Sequence, residues 1–156
     1  MLKLELQEEC NELNHPDLES FSIWANAAYN GAEEIDLVIR LVTTEESAAL
    51  NYEFRKKDYP TNVLSFADEA IPGFPEDSLG TLVMCPEIII TEAENLNITI
   101  SNHWAHLTVH GVLHLQGYDH EDDAEAQVME QKEITILDKL HIKNPYAIEE
   151  NDDERK

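Results

Sequence analysis

The segment HGVLHLQGYDH, His110 to His120, constrains the fold more than any other stretch of the chain. Residues four apart on a helix lie one above the other with Cβ atoms about 6 Å apart, so a helix through this segment directs His110 and His114 to one side. Gly117 can adopt the left-handed conformation that ends a helix without a Cβ clash. The chain can then reverse through Tyr118 and Asp119 and return His120 to the same place. A fold that hosts this segment must therefore supply a helix that stops at a tight turn. Three neutral imidazole nitrogens around one ion leave a fourth tetrahedral position open, the layout of a catalytic zinc site rather than a closed structural one.

Five of the seven histidines fall between His103 and His120, and crowding of that kind also arises from solvated or core imidazoles. That alternative accounts for His103, expected to be exposed, and for His106, expected to support or pack beside the site. It does not account for a ligand-spaced pair followed at once by a glycine turn and a third histidine, so His110, His114 and His120 are read as ligands of one zinc ion per chain. The pattern approaches the H-E-x-x-H-x-x-G-x-x-H signature of metzincin proteases, but Gly111 occupies the position of the glutamate base, which removes the main tool for attacking a peptide carbonyl. Glycine inside a helix costs about 1 kcal/mol relative to alanine. Something needs room beside His110, and both helix-to-strand packing and a substrate would explain it.

The rest of the chain reads as one domain, residues 1–148, followed by a charged tail, 149–156, expected to be disordered. Lys3 to Glu8 alternates like a strand, and Pro16 to Asn30 has helical spacing with Gly31 as a stop. Glu34 to Val42 is the clearest strand. Thr43 or Thr44 should cap a helix from about Glu45 to Arg55. A loop with Asp58 and Pro60 leads to a strand at NVLSFAD, and AIPGFPEDSLG, ending at Gly80, reads as a long turn. TLVMC is a further strand, and Pro86 opens a helix reaching about Glu94. The histidine helix runs from about Ile100 to Gln116. A partner from about Asp122 to Leu140 carries apolar Ala126, Met129, Ile134, Leu137 and Leu140, with its acids on the opposite face. The order βαβαβ, β, ααα implies an α/β (α+β) domain in which about five helices cover a small mixed four-stranded sheet.

The chain carries 10 Lys and Arg against 33 Asp and Glu, a formal charge of -23. That balance argues against gripping duplex nucleic acid through a broad basic face, so DNA is not expected as a partner. No stretch approaches the apolar length of a membrane span, the N-terminal residues turn acidic and develop no apolar h-region, and the protein is read as soluble and cytoplasmic. Cys10 and Cys85 match no disulfide or zinc spacing and are read as buried thiols. After Lys57 the next basic side chain is Lys132, so fixed positive charge near the histidines must come from a metal or from elsewhere, the nearest upstream cluster being Arg55, Lys56 and Lys57. A guanidinium suits phosphate oxygens, although Arg-Lys-Lys at a helix end is more often a solvated run that complements the helix dipole.

The joint presence of FRKKDYPTNVLSF and HGVLHLQGYDH resembles the YbeY family of bacterial endoribonucleases, over about Glu34 to Tyr146. The resemblance implies a metal-dependent, single-strand-specific endoribonuclease that matures ribosomal RNA, particularly the 3′ end of the small-subunit 16S RNA, and takes part in ribosome quality control. It implies partners in single-stranded and ribosomal RNA and in the small ribosomal subunit or its proteins. It implies His110, His114 and His120 as zinc ligands and Arg55 as the catalytic arginine. Asp119, Lys56, Lys57 and His106 are candidates for supporting or groove roles. Asn62 departs from an aspartate frequent in the family, and Thr81 from a common Gly-Asp pair. Two rival readings keep the histidines: a metal-dependent hydrolase of another substrate, and a non-enzymatic ribosome assembly factor with a structural metal.

Overall fold

The computed structural model describes residues 1–8, 14–67, 78–119 and 121–146. Its elements follow the expected order: β1 (Leu2–Glu8), α1 (Leu18–Ala28), β2 (Ile35–Leu41), α2 (Thr44–Arg55), β3 (Val63–Ala67), β4 (Ser78–Met84), α3 (Pro86–Leu96), α4 (Ile100–Leu115) and α5 (Asp123–Lys139). Cys10, His120 and the tail from residue 149 lie outside the described residues, as do 70–77 of the expected long turn. The last three residues of that turn, Ser78 to Gly80, belong instead to β4. Pairing of Ser78 with Asp36, and of Gly80 with Leu37 and Ala67, gives this backbone partners that a propensity reading does not see.

Helix starts follow side-chain chemistry. Asp17, Thr43, Thr99 and Asp122 each accept a hydrogen bond from the backbone N–H three residues on, satisfying a first-turn amide that has no helical partner. Asp17 is thus the cap of α1. Of the two threonines considered for α2, Thr43 caps and Thr44 is helical. α3 has no side-chain cap and opens on Pro86, whose missing N–H would be unpaired there anyway.

The sheet order is β1-β2-β4-β3, with β1, β2 and β4 parallel and β3 antiparallel to β4 at the edge. Alternation divides the side chains between two faces. Leu37, Ile39 and Leu41 of β2 and Leu82 and Met84 of β4 enter the main core, which also takes Phe21 of α1, Ile89 of α3, Trp104 and Leu113 of α4 and Met129 and Leu137 of α5. Each such side chain contributes about 1.5–3 kcal/mol through burial. Phe21 and Trp104 meet edge to face, with ring centroids 5.6 Å apart, which fixes α1 against α4. On the other face Val42, Leu64 and Val83 pack with Leu50 of α2 and with Phe66. α2 therefore covers the β3 side of the sheet, and its C-terminal turn comes close to β3. Cys85 is a buried thiol, as expected. No helix among the described residues is long and apolar enough to cross a membrane.

Candidate active site

α4 lies against β3 and β4, and Gly111 makes the close approach possible. A Cβ at that position would sit 2.7 Å from Leu82 Cδ2 and 3.4 Å from Ser65 Oγ. Of the two explanations for a glycine beside His110, packing on the sheet is the one observed. α4 closes where expected, with Gly117 at φ 100° and Tyr118 N–H donating to Leu113 O at 3.2 Å. A Cβ on Gly117 would meet nothing within 4 Å, so backbone conformation, not crowding, selects glycine there.

One turn apart on this helix, the rings of His110 and His114 have centroids 4.8 Å apart and planes inclined at 78°. Both line an open cavity of about 610 Å³ that is also lined by Phe54 and Arg55 at the end of α2, by Thr61 to Phe66 along β3, and by Asp119 and Glu121. Arg55 is exposed, and among the described residues it makes no ion pair, in contrast to Arg40, which reaches Glu46 at 2.7 Å. Arg55 and the two histidines thus share one cavity. Lys56 and Lys57 are exposed at the same helix end but lie outside its wall; Lys56 caps α2 in the left-handed conformation and places Nζ 5.6 Å from the Tyr52 ring centroid. No three metal-binding side chains converge among the described residues, and the third expected ligand, His120, is not one of them.

Behind the two histidines stands a carboxylate that the sequence reading missed. Glu133 of α5 is 1% exposed. His110 Nδ1–H donates to its Oε2 at 3.1 Å, and its Oε1 accepts from His106 Nε2–H and, at 2.7 Å, from the Tyr146 hydroxyl. Burial pushes the Glu133 carboxyl up, but the hydrogen bonds and charges of His106 and His110 outweigh it and hold the carboxyl at about 2. An ionised carboxylate only accepts, so it requires N–H at His110 Nδ1 and in the neutral ring puts the lone pair on Nε2. Burial and the same carboxylate push the Tyr146 phenol well up, which keeps it a donor. His106 thus shares the Glu133 carboxylate with His110. The acids of α5 are not all on its outer face: Glu133 shares the buried face with Met129 and Leu137, because three donors there satisfy it.

A second histidine–carboxylate pair braces the start of β3. His103, expected to be exposed, is 5% exposed and 2.9 Å from Glu92 Oε1; the acid on neighbouring α3 makes its burial tolerable. Glu92 also accepts from Asn62 Nδ2 at 3.0 Å. An amide at 62 donates to this carboxylate where an aspartate would repel it, which accounts locally for the departure at that position. Burial raises the Glu92 carboxyl, but the His103 and Asn62 hydrogen bonds prevail and hold it below its ordinary 4.5. A depressed folded value means that the stabilisation is present above about pH 4.5 and is lost as the pH falls through that lower value. Glu92→Gln is accordingly expected to cost on the order of 1 kcal/mol at pH 6, limited by the group's partial exposure, with a gap to the parent that narrows as the pH falls below about 4.5. Thermal melts across this range test it, and a gap independent of pH would reject the assignment.

An α/β domain that gathers two imidazoles, one of them held by a buried carboxylate, and an exposed guanidinium around a single cavity has a polar site of the kind used for hydrolytic chemistry. Comparison with known proteins specifies the family. The sequence model described as Endoribonuclease YbeY matches residues 6–141. Endoribonuclease YbeY of Alteromonas mediterranea is 49% identical over 145 residues, covering 92% of both chains, and that of Methylococcus capsulatus is 50% identical over 131 residues, covering 84% of this chain and 87% of its own. A solution structure of a Thermotoga maritima protein shares the fold, with a TM-score of 0.53 at 23% identity over 90% of this chain and 92% of that one. The chain belongs to the YbeY endoribonuclease family.

Proposed function

We propose that the protein is a zinc-dependent, single-strand-specific endoribonuclease that matures ribosomal RNA at the 3′ end of the small-subunit 16S RNA and contributes to ribosome quality control. The observation that carries this reading is the shared cavity, which brings the Arg55 guanidinium to the same space as His110 and His114. The donor set fits a divalent transition metal: two neutral imidazoles one helical turn apart, one with its second nitrogen held by a carboxylate. His110, His114 and, beyond the described residues, His120 would hold one zinc ion. When bound, the metal supplies Lewis-acid polarisation of a phosphoryl oxygen.

The chain's own groups do the rest. Arg55 pairs with the oxygens of the scissile phosphate and offsets negative charge that grows on them during cleavage. Glu133 fixes the tautomer and orientation of His110, and Asp119 shapes the turn at the cavity edge. Lys56 and Lys57 attract the strand as it approaches, acting at longer range than Arg55. The charge of -23 makes most of the surface repellent to free RNA. Delivery of the substrate by the small ribosomal subunit or its proteins, in the cytoplasm, overcomes that barrier.

His114→Ala is expected to abolish metal binding, with the parent carrying one zinc per chain by native mass spectrometry. Since neutral imidazoles are the donors, occupancy of the parent should fall as the pH drops below about 6. Equal metal content in parent and variant would reject the site. Parent protein loaded with zinc should cut an RNA at its single-stranded ends and spare its duplex; absence of cleavage would overturn the functional reading.

A further inference from the structure

The cavity wall contains an apolar feature that phosphate chemistry does not use. Phe54, immediately before Arg55, is 58% exposed. Its ring lies 4.9 Å from that of Phe66 on β3, the planes inclined at 65°, and both side chains line the cavity with Arg55, His110 and His114. A phenyl ring more than half exposed on a helix end adds little to the core, while a ring face bordering a space that takes phosphate is suited to a nucleobase. Bases of a duplex are covered above and below by their neighbours, so only an unpaired base can offer its face. Stacking is also indifferent to the chain's negative charge, which weakens every purely electrostatic grip on RNA.

We propose that Phe54, supported edge-on by Phe66, is the base-stacking wall of this site and binds the unpaired nucleobase next to the phosphate that Arg55 grips. The proposal rests on the ribonuclease reading and deepens it, since it assigns selection of single strands to a particular side chain. Phe66 holds the Phe54 ring, and the spacing from Phe54 to Arg55, adjacent in the chain, couples recognition of a base to placement of its phosphate.

The test combines protein and substrate changes on the intact, zinc-loaded protein. Binding and cleavage of a labelled single-stranded RNA are measured alongside a set of the same RNA with one base at a time removed and all phosphates retained. Phe54→Ala should weaken binding and raise KM by about tenfold or more, the effect expected of one lost stacked base, with a smaller change in kcat. Phe54→Trp should restore affinity, and Phe54→Leu, which keeps apolar bulk without an aromatic face, should not. In the parent one abasic position should reproduce the loss, and in Phe54→Ala that same position should cost nothing further. Additive losses from the two changes, or an unaltered KM in Phe54→Ala with zinc content and melting temperature intact, would overturn the stacking role. A parent that binds the RNA in this Phe54-dependent way without cutting it would uphold the stacking wall and sink the ribonuclease reading; a parent that neither binds nor cuts would sink both.

Discussion

Arg55→Ala is expected to lower RNA cleavage by about 10²-fold or more while leaving the fold and the zinc content as they are, the scale of effect when one preorganised charge donor is lost from a transition state. The expectation follows from the position of the side chain. Arg55 ends α2 with no acid among the described residues to engage it, and it shares a cavity with His110 and His114. A guanidinium serving only the helix dipole would cost a few tenths of a kcal/mol in stability on removal and leave catalysis alone. Arg55→Lys sharpens the comparison: a point charge retains some attraction for the strand but not the planar two-point grip, so the rate should recover poorly. Lys56→Ala and Lys57→Ala, outside the cavity wall, should weaken binding in a salt-dependent way with little change in maximal rate. Single-turnover kinetics separates the cases, and equal, small losses at all three positions would return Arg55 to a solvated charge.

The second large effect is expected at Glu133. Replacing it by alanine leaves the donors of His106, His110 and Tyr146 without their shared acceptor in a closed environment, at a cost of about 3–5 kcal/mol. For a chain of this size that corresponds to a fall of roughly 10 °C in melting temperature. Zinc affinity should drop about 10–100-fold at the same time, because His110 loses the partner that sets its tautomer. Glu133→Gln retains volume and one acceptor and should recover part of the stability and less of the affinity. Thermal denaturation paired with a metal-competition titration reads both. An alanine variant that melts within about 2 °C of the parent would mean that the carboxylate is replaceable by solvent, and undiminished zinc affinity would remove its link to His110.

Much of this arrangement is legible in the sequence. Thr43 was one of two candidate caps for α2, and Pro86 could be read as the opening of α3, because capping depends on side chains within a few residues of the backbone group they satisfy. The reversal at Gly117 was legible because an abrupt helix end needs a conformation that few residues tolerate. The edges were less so: Ser78 to Gly80 lie in a segment rich in turn formers and are drawn into β4 by partners 42 and more residues earlier on β2 and 13 residues earlier on β3. The burial of His103 is not legible for a related reason, since an imidazole's burial depends on whether another element brings an acid to it.

What the sequence determined by itself is the set of chemical donors and the local geometry around them: a helix that places His110 above His114, a glycine stop after it, and a cap and length for α2 that end in Arg55. These are consequences of backbone period and short-range hydrogen bonding, which act over one or two turns. Only the tertiary structure decided which donors meet. Glu133 lies 23 residues from His110, and its spacing of four from Met129 and from Leu137 was a signal of a buried acid that the abundance of acids on α5 concealed. Phe54 and Arg55 reach the histidines only because α2 crosses one face of the sheet and ends beside β3, while Gly111 lets α4 settle against Leu82 from the other. Packing of apolar faces sets those distances, and because it sums many weak contacts from remote parts of the chain, no single segment encodes them.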